Sequence, residues 1–262
     1  MPPVRAVIFD IDDTLLDLTA AAASGLRAMV ARASPALSDG AAFDEALAFW
    51  RQLELWHVGR FLGGECTLVE QRRSRVREFT AYAALSIGTR GEALDAWFAD
   101  FTAACETDLR LFPEVPDALA TISARGVVIG ALSNNIHAVQ RRRLRQAGIL
   151  DHFAALVCAD DLAGAAAKPD SGAFLAACAA LGSQPGQTVY LGDDLANDAL
   201  AARAAGLIGV WIDRRPPLRD AGSAGPAEPA AGSLVPTAAT LTEFADWLAR
   251  SGFLPMTAQE VQ

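Results

Sequence analysis

Two kinds of apolar pattern alternate along the chain. Short, continuous runs rich in β-branched residues occur at 4–9 (VRAVIF), 127–132 (VVIGAL), 154–158 (AALVC), 188–191 (TVYL) and 207–212 (LIGVWI). Continuous rather than alternating runs predict strands buried on both faces of a parallel sheet. Helix-period patterns separate the later runs, at 114–124, 136–147, 171–181 and 195–205. Gly126, Gly148, Gly182 and Gly206 stand where those helices should stop. The alternation predicts an α/β fold, a doubly wound parallel sheet of the Rossmann-like kind.

The interval between the first two strands breaks the rhythm. It holds helical patterns at 18–32, 41–57, 67–84 and 91–106 and no strand signal, with a return near Pro113. This reads as a helical insertion after the first strand, a place from which insertions cover a site at the strand ends. The expected division is a core of 1–17 and 110–250, a helical cap of 18–109 and a tail of 251–262. Residues 214–236 are rich in Pro, Gly, Ala and Ser and read as a loop, and 241–251 as a short amphipathic helix.

Composition narrows the function. The 52% hydrophobic content owes much to alanine, and the net charge of −9 argues against binding a nucleic-acid polymer. A small anionic substrate stays open, because a metal ion can reverse the local field. The four cysteines, at 66, 105, 158 and 178, lack CxxC spacing and read as free thiols of a cytoplasmic protein. The opening MPPVRAVIFD enters a strand at once, leaving no room for a signal peptide, and no apolar run reaches the ~18 residues of a membrane span.

Polar residues gather where the strands end. Asp10, Asp12, Asp13 and Thr14 follow the first strand, Ser133, Asn134 and Asn135 the second. Lys168-Pro169-Asp170 follows the third, and Gly192-Asp193-Asp194 with Asn197-Asp198 the fourth. The carboxyl ends of parallel strands share one edge, so these stretches should converge. Crowded carboxylates repel one another, and a divalent cation removes the conflict; an all-oxygen set suits Mg²⁺ and a phosphate. Taken singly, each motif also has a plainer reading. Asp13 or Thr14 can cap a helix, Ser133-Asn134 can cap the helix from 136, Lys168 can be a surface lysine, and Asp194 a first-turn acid.

In order, DIDDT, LSNN, a lone KPD and GDDLAND resemble the four motifs of the haloacid dehalogenase superfamily, over roughly 1–20 and 110–212. The resemblance implies an aspartyl-phosphate on Asp10, with Asp12 as general acid and then base. Mg²⁺ would sit on Asp10, the Asp12 main-chain oxygen and Asp193, with Asp198 as outer ligand or orienting metal-bound water. Ser133 and Asn134 would bind the phosphoryl group, and Lys168 would neutralise the two approaching anions. DxDDT with a helical insertion is similar to the subgroup of nucleoside 5′-monophosphatases and N-acylneuraminate 9-phosphatases.

The resemblance thus implies a Mg²⁺-dependent phosphatase acting on a small phosphate monoester, a sugar phosphate or a nucleotide. Asp12 argues against a 2-haloacid dehalogenase, and the lack of lysine in 17–110 against a phosphonate hydrolase. A phosphomutase shares all four motifs, and a non-catalytic phosphate-binding module on the same fold is the alternative of another class. In the insertion, Arg72 and Arg75 lie on or beside the apolar face of helix 67–84 and are candidates for a polar or anionic part of the substrate; pairing with Glu70 and Glu78 is the plainer reading. Trp50, Trp56, Phe49 and Phe61 read as core of the insertion, and His57 and Arg60 as weaker candidates for substrate contact. Oligomeric state is not read from this pattern.

Overall fold

The computed structural model describes residues 3–162, 167–214 and 235–251. The segment just before Lys168, most of 214–236 and the tail after Ser251 therefore lie outside the described residues. The chain runs from β1 (Ala6–Phe9) into four helices, α1 (Leu18–Ala33), α2 (Gly40–Leu62), α3 (Leu68–Tyr82) and α4 (Gly91–Asp108). It returns through α5 (Val115–Ser123), β2 (Val128–Ser133), α6 (His137–Gln146), β3 (Ala155–Cys158), α7 (Ser171–Ala180) and β4 (Thr188–Gly192). A π-helical turn (Leu195–Leu200) continues as α8 (Ala201–Ala204), followed by β5 (Ile208–Ile212), β6 (Thr237–Ala238) and α9 (Leu241–Arg250). Two compact units result, one of residues 1–16 with 111–262 and one of 17–110.

In the first unit all strand pairs are parallel and the order is β3-β2-β1-β4-β5-β6. The expected α/β doubly wound sheet is what forms. Adjacent residues of β1 face opposite ways, as strand geometry requires. Ile8 joins Leu132, Phe174 and Tyr190 in one core layer, while Phe9 meets the ring of Phe244 from α9 edge-on at 5.9 Å. Gly126, Gly148, Gly182 and Gly206 all adopt positive φ just past helices. Two features differ from the expectation. The helix expected over 195–205 divides into the π turn and α8, and the two-residue β6, which carries no apolar run, extends the sheet beside β5.

The second unit is helical throughout its regular structure. Its core centres on Trp50, fully buried, with Phe79, Trp97 and Phe101 at 5.2, 5.7 and 4.9 Å between ring centroids. Leu26, Val30, Phe43 and Val76 complete the cluster. Thr67 and Glu70 open α3 with a reciprocal capping box, which occupies the glutamate expected to pair with an arginine. Trp56 corrects the sequence reading: it is 64% exposed, beside Leu55 at 78%, and is no part of this core. The α2 sequence is apolar over most of its circumference near that point, so periodicity alone does not select the buried face.

Candidate active site

Asp10 follows β1 at the centre of the sheet, and its N–H donates to Leu191 O of β4 at 2.8 Å. This pins it beside the end of β4, where Gly192 and Asp193 follow. Asp10 is only 6% exposed. Asp13, three residues on, has φ 59°, a left-handed conformation that aspartate tolerates better than most residues and that a tight reversal needs here.

Lys168 reaches this point from the segment after β3. Its Nζ donates to Asp10 Oδ1 at 2.6 Å, to Asp198 Oδ1 at 2.7 Å and to the Tyr190 hydroxyl at 2.9 Å. Asn134 fixes the lysine from below: its Nδ2 donates to Lys168 O and its Oδ1 accepts from Lys168 N–H, both at 2.8 Å. Both ends of the Asn134 amide are thus engaged with the Lys168 main chain. Ser133 Oγ accepts from Asn135 N–H and from Gln140 Nε2, which leaves its own O–H to donate elsewhere.

Asp198 arrives on the π turn. Its Oδ1 accepts from Lys168 and from the Tyr190 hydroxyl at 2.9 Å, and its Oδ2 from Asp194 N–H at 3.1 Å. Two glycines permit this. A Cβ on Gly192 would fall on the Asp198 carboxylate, and one on Gly209 of β5 would fall on Ala199 O within the turn. Trp211 Nε1 donates to Asp193 O at 2.8 Å and steadies the neighbouring acid.

Carboxylate oxygens of Asp10, Asp193 and Asp198 lie within 4.8 Å of one another. Burial drives the Asp10 carboxyl well above its ordinary range; Lys168 opposes this, while Asp198, Asp193 and Asp12 add to it. Burial likewise pushes Asp193 up to about 7, helped by Asp198 and Asp13. Burial by itself would lower the Lys168 ammonium, but Asp10, Tyr190 and Asp198 outweigh it and the net direction is upward, so this lysine stays charged. Burial and Asp198 raise the Tyr190 phenol, which remains a neutral donor. Several buried acids against one ammonium form a set that lacks positive charge, and the oxygen-only donors fit a hard divalent cation.

The Asp12 carboxylate takes its side-chain partners from α6 and from Asn135 before it. Its Oδ1 accepts from Arg143 Nη1 at 3.0 Å, and its Oδ2 from Gln140 Nε2 at 2.8 Å and Asn135 Nδ2 at 3.2 Å. Gln140, Arg143 and Tyr190 were not singled out from sequence. The first two were detectable as polar residues at i and i+3 on the face of α6 that also carries buried Leu144.

In the helical unit, Arg75 is 4% exposed, pairs with Glu54 at 2.8 Å and lies 4.5 Å from the Trp50 ring. Arg73 pairs with Asp95, and Glu78 with His57. Neither arginine uses the Glu70 or Glu78 partner expected from helical spacing. His57 is buried, and Arg60 pairs with Glu65. Arg72 rests over the Phe98 ring at 5.1 Å and makes no ion pair among the described residues.

The family model for haloacid dehalogenase-like hydrolases matches residues 4–206. The chain belongs to that family of hydrolases. It is 29% identical over 205 residues to a phosphoglycolate phosphatase of Nitrosospira multiformis, covering 78% of this chain and 81% of the relative. A phosphoserine phosphatase of Thermus thermophilus is 34% identical over 104 residues, a match spanning 40% of this chain and 41% of that protein. The magnesium-bound HAD-hydrolase YfnB of Bacillus subtilis shares the fold with a TM-score of 0.74 and 18% identity, over 94% of this chain and 99% of that one.

Proposed function

We propose that this chain is a Mg²⁺-dependent phosphoric monoester hydrolase that works on a small phosphate ester through an aspartyl-phosphate on Asp10. The observation that carries the reading is the buried Asp10 carboxylate, clustered with Asp193 and Asp198 and held by Lys168, with the Asp12 carboxylate two residues on and linked through Gln140 to Ser133. On this reading one carboxylate forms the bond to phosphorus and the other moves protons. The phosphatase names of two relatives that match the chain support the reaction class and the small size of the substrate.

In the first step an Asp10 oxygen forms a bond to phosphorus as the bond to the leaving oxygen breaks, and Asp12 gives that oxygen its proton. Lys168 offsets the charge of the approaching anions, and the free Ser133 O–H donates to a phosphoryl oxygen. In the second step Asp12 takes a proton from water, the water oxygen bonds to phosphorus, and the Asp10–phosphorus bond breaks to release phosphate. A magnesium ion held by Asp10, Asp193 and the Asp12 main-chain oxygen, with Asp198 beside it, would supply positive charge to the phosphoryl oxygens. Of the two arginines proposed for an anionic or polar part of the substrate, Arg72 has the freer guanidinium, since Arg75 is committed to Glu54. Four free thiols fit a cytoplasmic enzyme.

The test is phosphate release from a panel of sugar phosphates, nucleotides, phosphoglycolate and phosphoserine, with Mg²⁺ and with EDTA. Metal-dependent release that is lost in Asp10→Asn is the expected result. Release that survives in the variant refutes Asp10 as nucleophile, and no release from any ester favours a non-catalytic phosphate-binding module.

A further inference from the structure

The side chain of Asp12 is aimed by a helix more than a hundred residues away in sequence. Three side-chain donors reach its carboxylate, Asn135 from the end of β2 and Gln140 and Arg143 from α6. Gln140 does two things at once. Its Nε2 donates to Asp12 Oδ2 at 2.8 Å and to Ser133 Oγ at 2.9 Å, joining the loop after the first strand to the residue that ends the second.

Gln140 is fully buried, and its Oε1 has no hydrogen-bond partner. An orphaned buried oxygen carries a desolvation cost that a methionine or leucine at this position would not. Its orientation is fixed by chemistry, because turning the amide over would set Oε1 against the Asp12 carboxylate. A residue that is poor for packing and good for aiming two site groups is explained by the aiming. Arg143, nearly buried one helical turn along, grips the other carboxylate oxygen, so rotation of Asp12 about its own side-chain bonds breaks contacts at both ends.

We propose that Gln140, assisted by Arg143, is the positioning residue for Asp12, fixing the proton-transfer group at a set distance from the Ser133 hydroxyl. This deepens the phosphatase reading and rests on it for the role of Asp12. Among the described residues no hydrogen bond joins the Gln140 side chain to the nucleophile or to Lys168, so its loss should fall on steps that need a placed proton donor or acceptor and spare those that do not.

The test compares Gln140→Met and Arg143→Met with the parent, in Mg²⁺, on an alkyl ester (glycerol 2-phosphate) and an aryl ester with a good leaving group (p-nitrophenyl phosphate). For the alkyl ester, kcat/KM in Gln140→Met should fall about 10²-fold, while for the aryl ester it stays within about threefold, because p-nitrophenolate leaves without protonation. The same variant should release a burst of p-nitrophenol followed by a slower phase, since water attack still needs the Asp12 base. Arg143→Lys should recover part of the alkyl rate. Equal losses on both esters would show that Gln140 acts through Ser133 or the fold, and equal retention would show no role; either overturns the proposal. Crystal structures of the parent and Gln140→Met decide it independently of turnover: a displaced Asp12 carboxylate is expected, and one that keeps its place refutes the positioning role. Failure of the parent to hydrolyse either ester would count against the phosphatase reading and leave that structural comparison to judge Gln140.

Discussion

At Gly192 the absence of a side chain is a requirement of the site. Asp198 occupies the space where a Cβ would go, so Gly192→Ala must displace either the strand end or the acid. The expected cost is about 1–3 kcal/mol of stability, the range for overpacking, measured by urea unfolding, together with weakened Mg²⁺ binding. Asp193 makes a second prediction. With its carboxyl raised to about 7 in the metal-free protein, protons compete with the cation for the same oxygens. Mg²⁺ affinity should therefore rise with pH through about 7 and then level off, and calorimetry in buffers of different ionisation enthalpy should detect proton release on binding below that point. A pH-independent affinity would contradict the clustering of Asp193 with Asp10 and Asp198. The acids, Ser133 and Lys168 could be placed at one sheet edge from sequence because each follows a buried strand. Gln140 and Arg143 could be assigned only to one face of a helix, because their partner Asp12 lies 128 and 131 residues away and no local pattern records the contact.

The elements repeat this division between local and distant causes. β1 through β5 fall within two residues of their apolar runs, since a continuous β-branched stretch has few other ways to bury itself. β6 was not legible, because two residues beside Trp211 and Ile212 take their conformation from the sheet they join. The Thr67–Glu70 capping box was written in the sequence as Thr-x-x-Glu, whereas the pairing of Arg75 with Glu54 of another helix was not. Packing in the helical unit converges on Trp50, so Trp50→Ala should destabilise the protein by about 3–5 kcal/mol, measured by chemical denaturation. Trp56→Ala, at an exposed position of the same helix, should change stability by no more than about 0.5 kcal/mol. Equal effects at the two positions would refute the assignment of the buried face of α2.

For the whole molecule, a parallel sheet gathers its acids on one edge, and this shapes stability as well as chemistry. A carboxyl whose pKa is raised by folding binds its proton more tightly in the folded state than in the unfolded one. The metal-free protein should therefore be favoured at pH below the ordinary carboxylate range and lose that contribution as pH rises toward about 7, the raised value for Asp193. Saturating Mg²⁺ removes the conflict by binding the folded state, so the gain in Tm on adding Mg²⁺ should be larger at pH 8 than at pH 5.5. The opposite order would mean that the acids do not share the cation. The chemistry itself is tested most directly by trapping. Mixing the protein with Mg²⁺ and its best phosphate ester, quenching in acid and reducing with borohydride converts an aspartyl-phosphate to homoserine, which peptide mass spectrometry can locate. Homoserine at position 10, dependent on Mg²⁺ and substrate, is the expected result; reduction at Asp12 or another residue, or phosphate release with no residue reduced, would contradict Asp10 as the nucleophile.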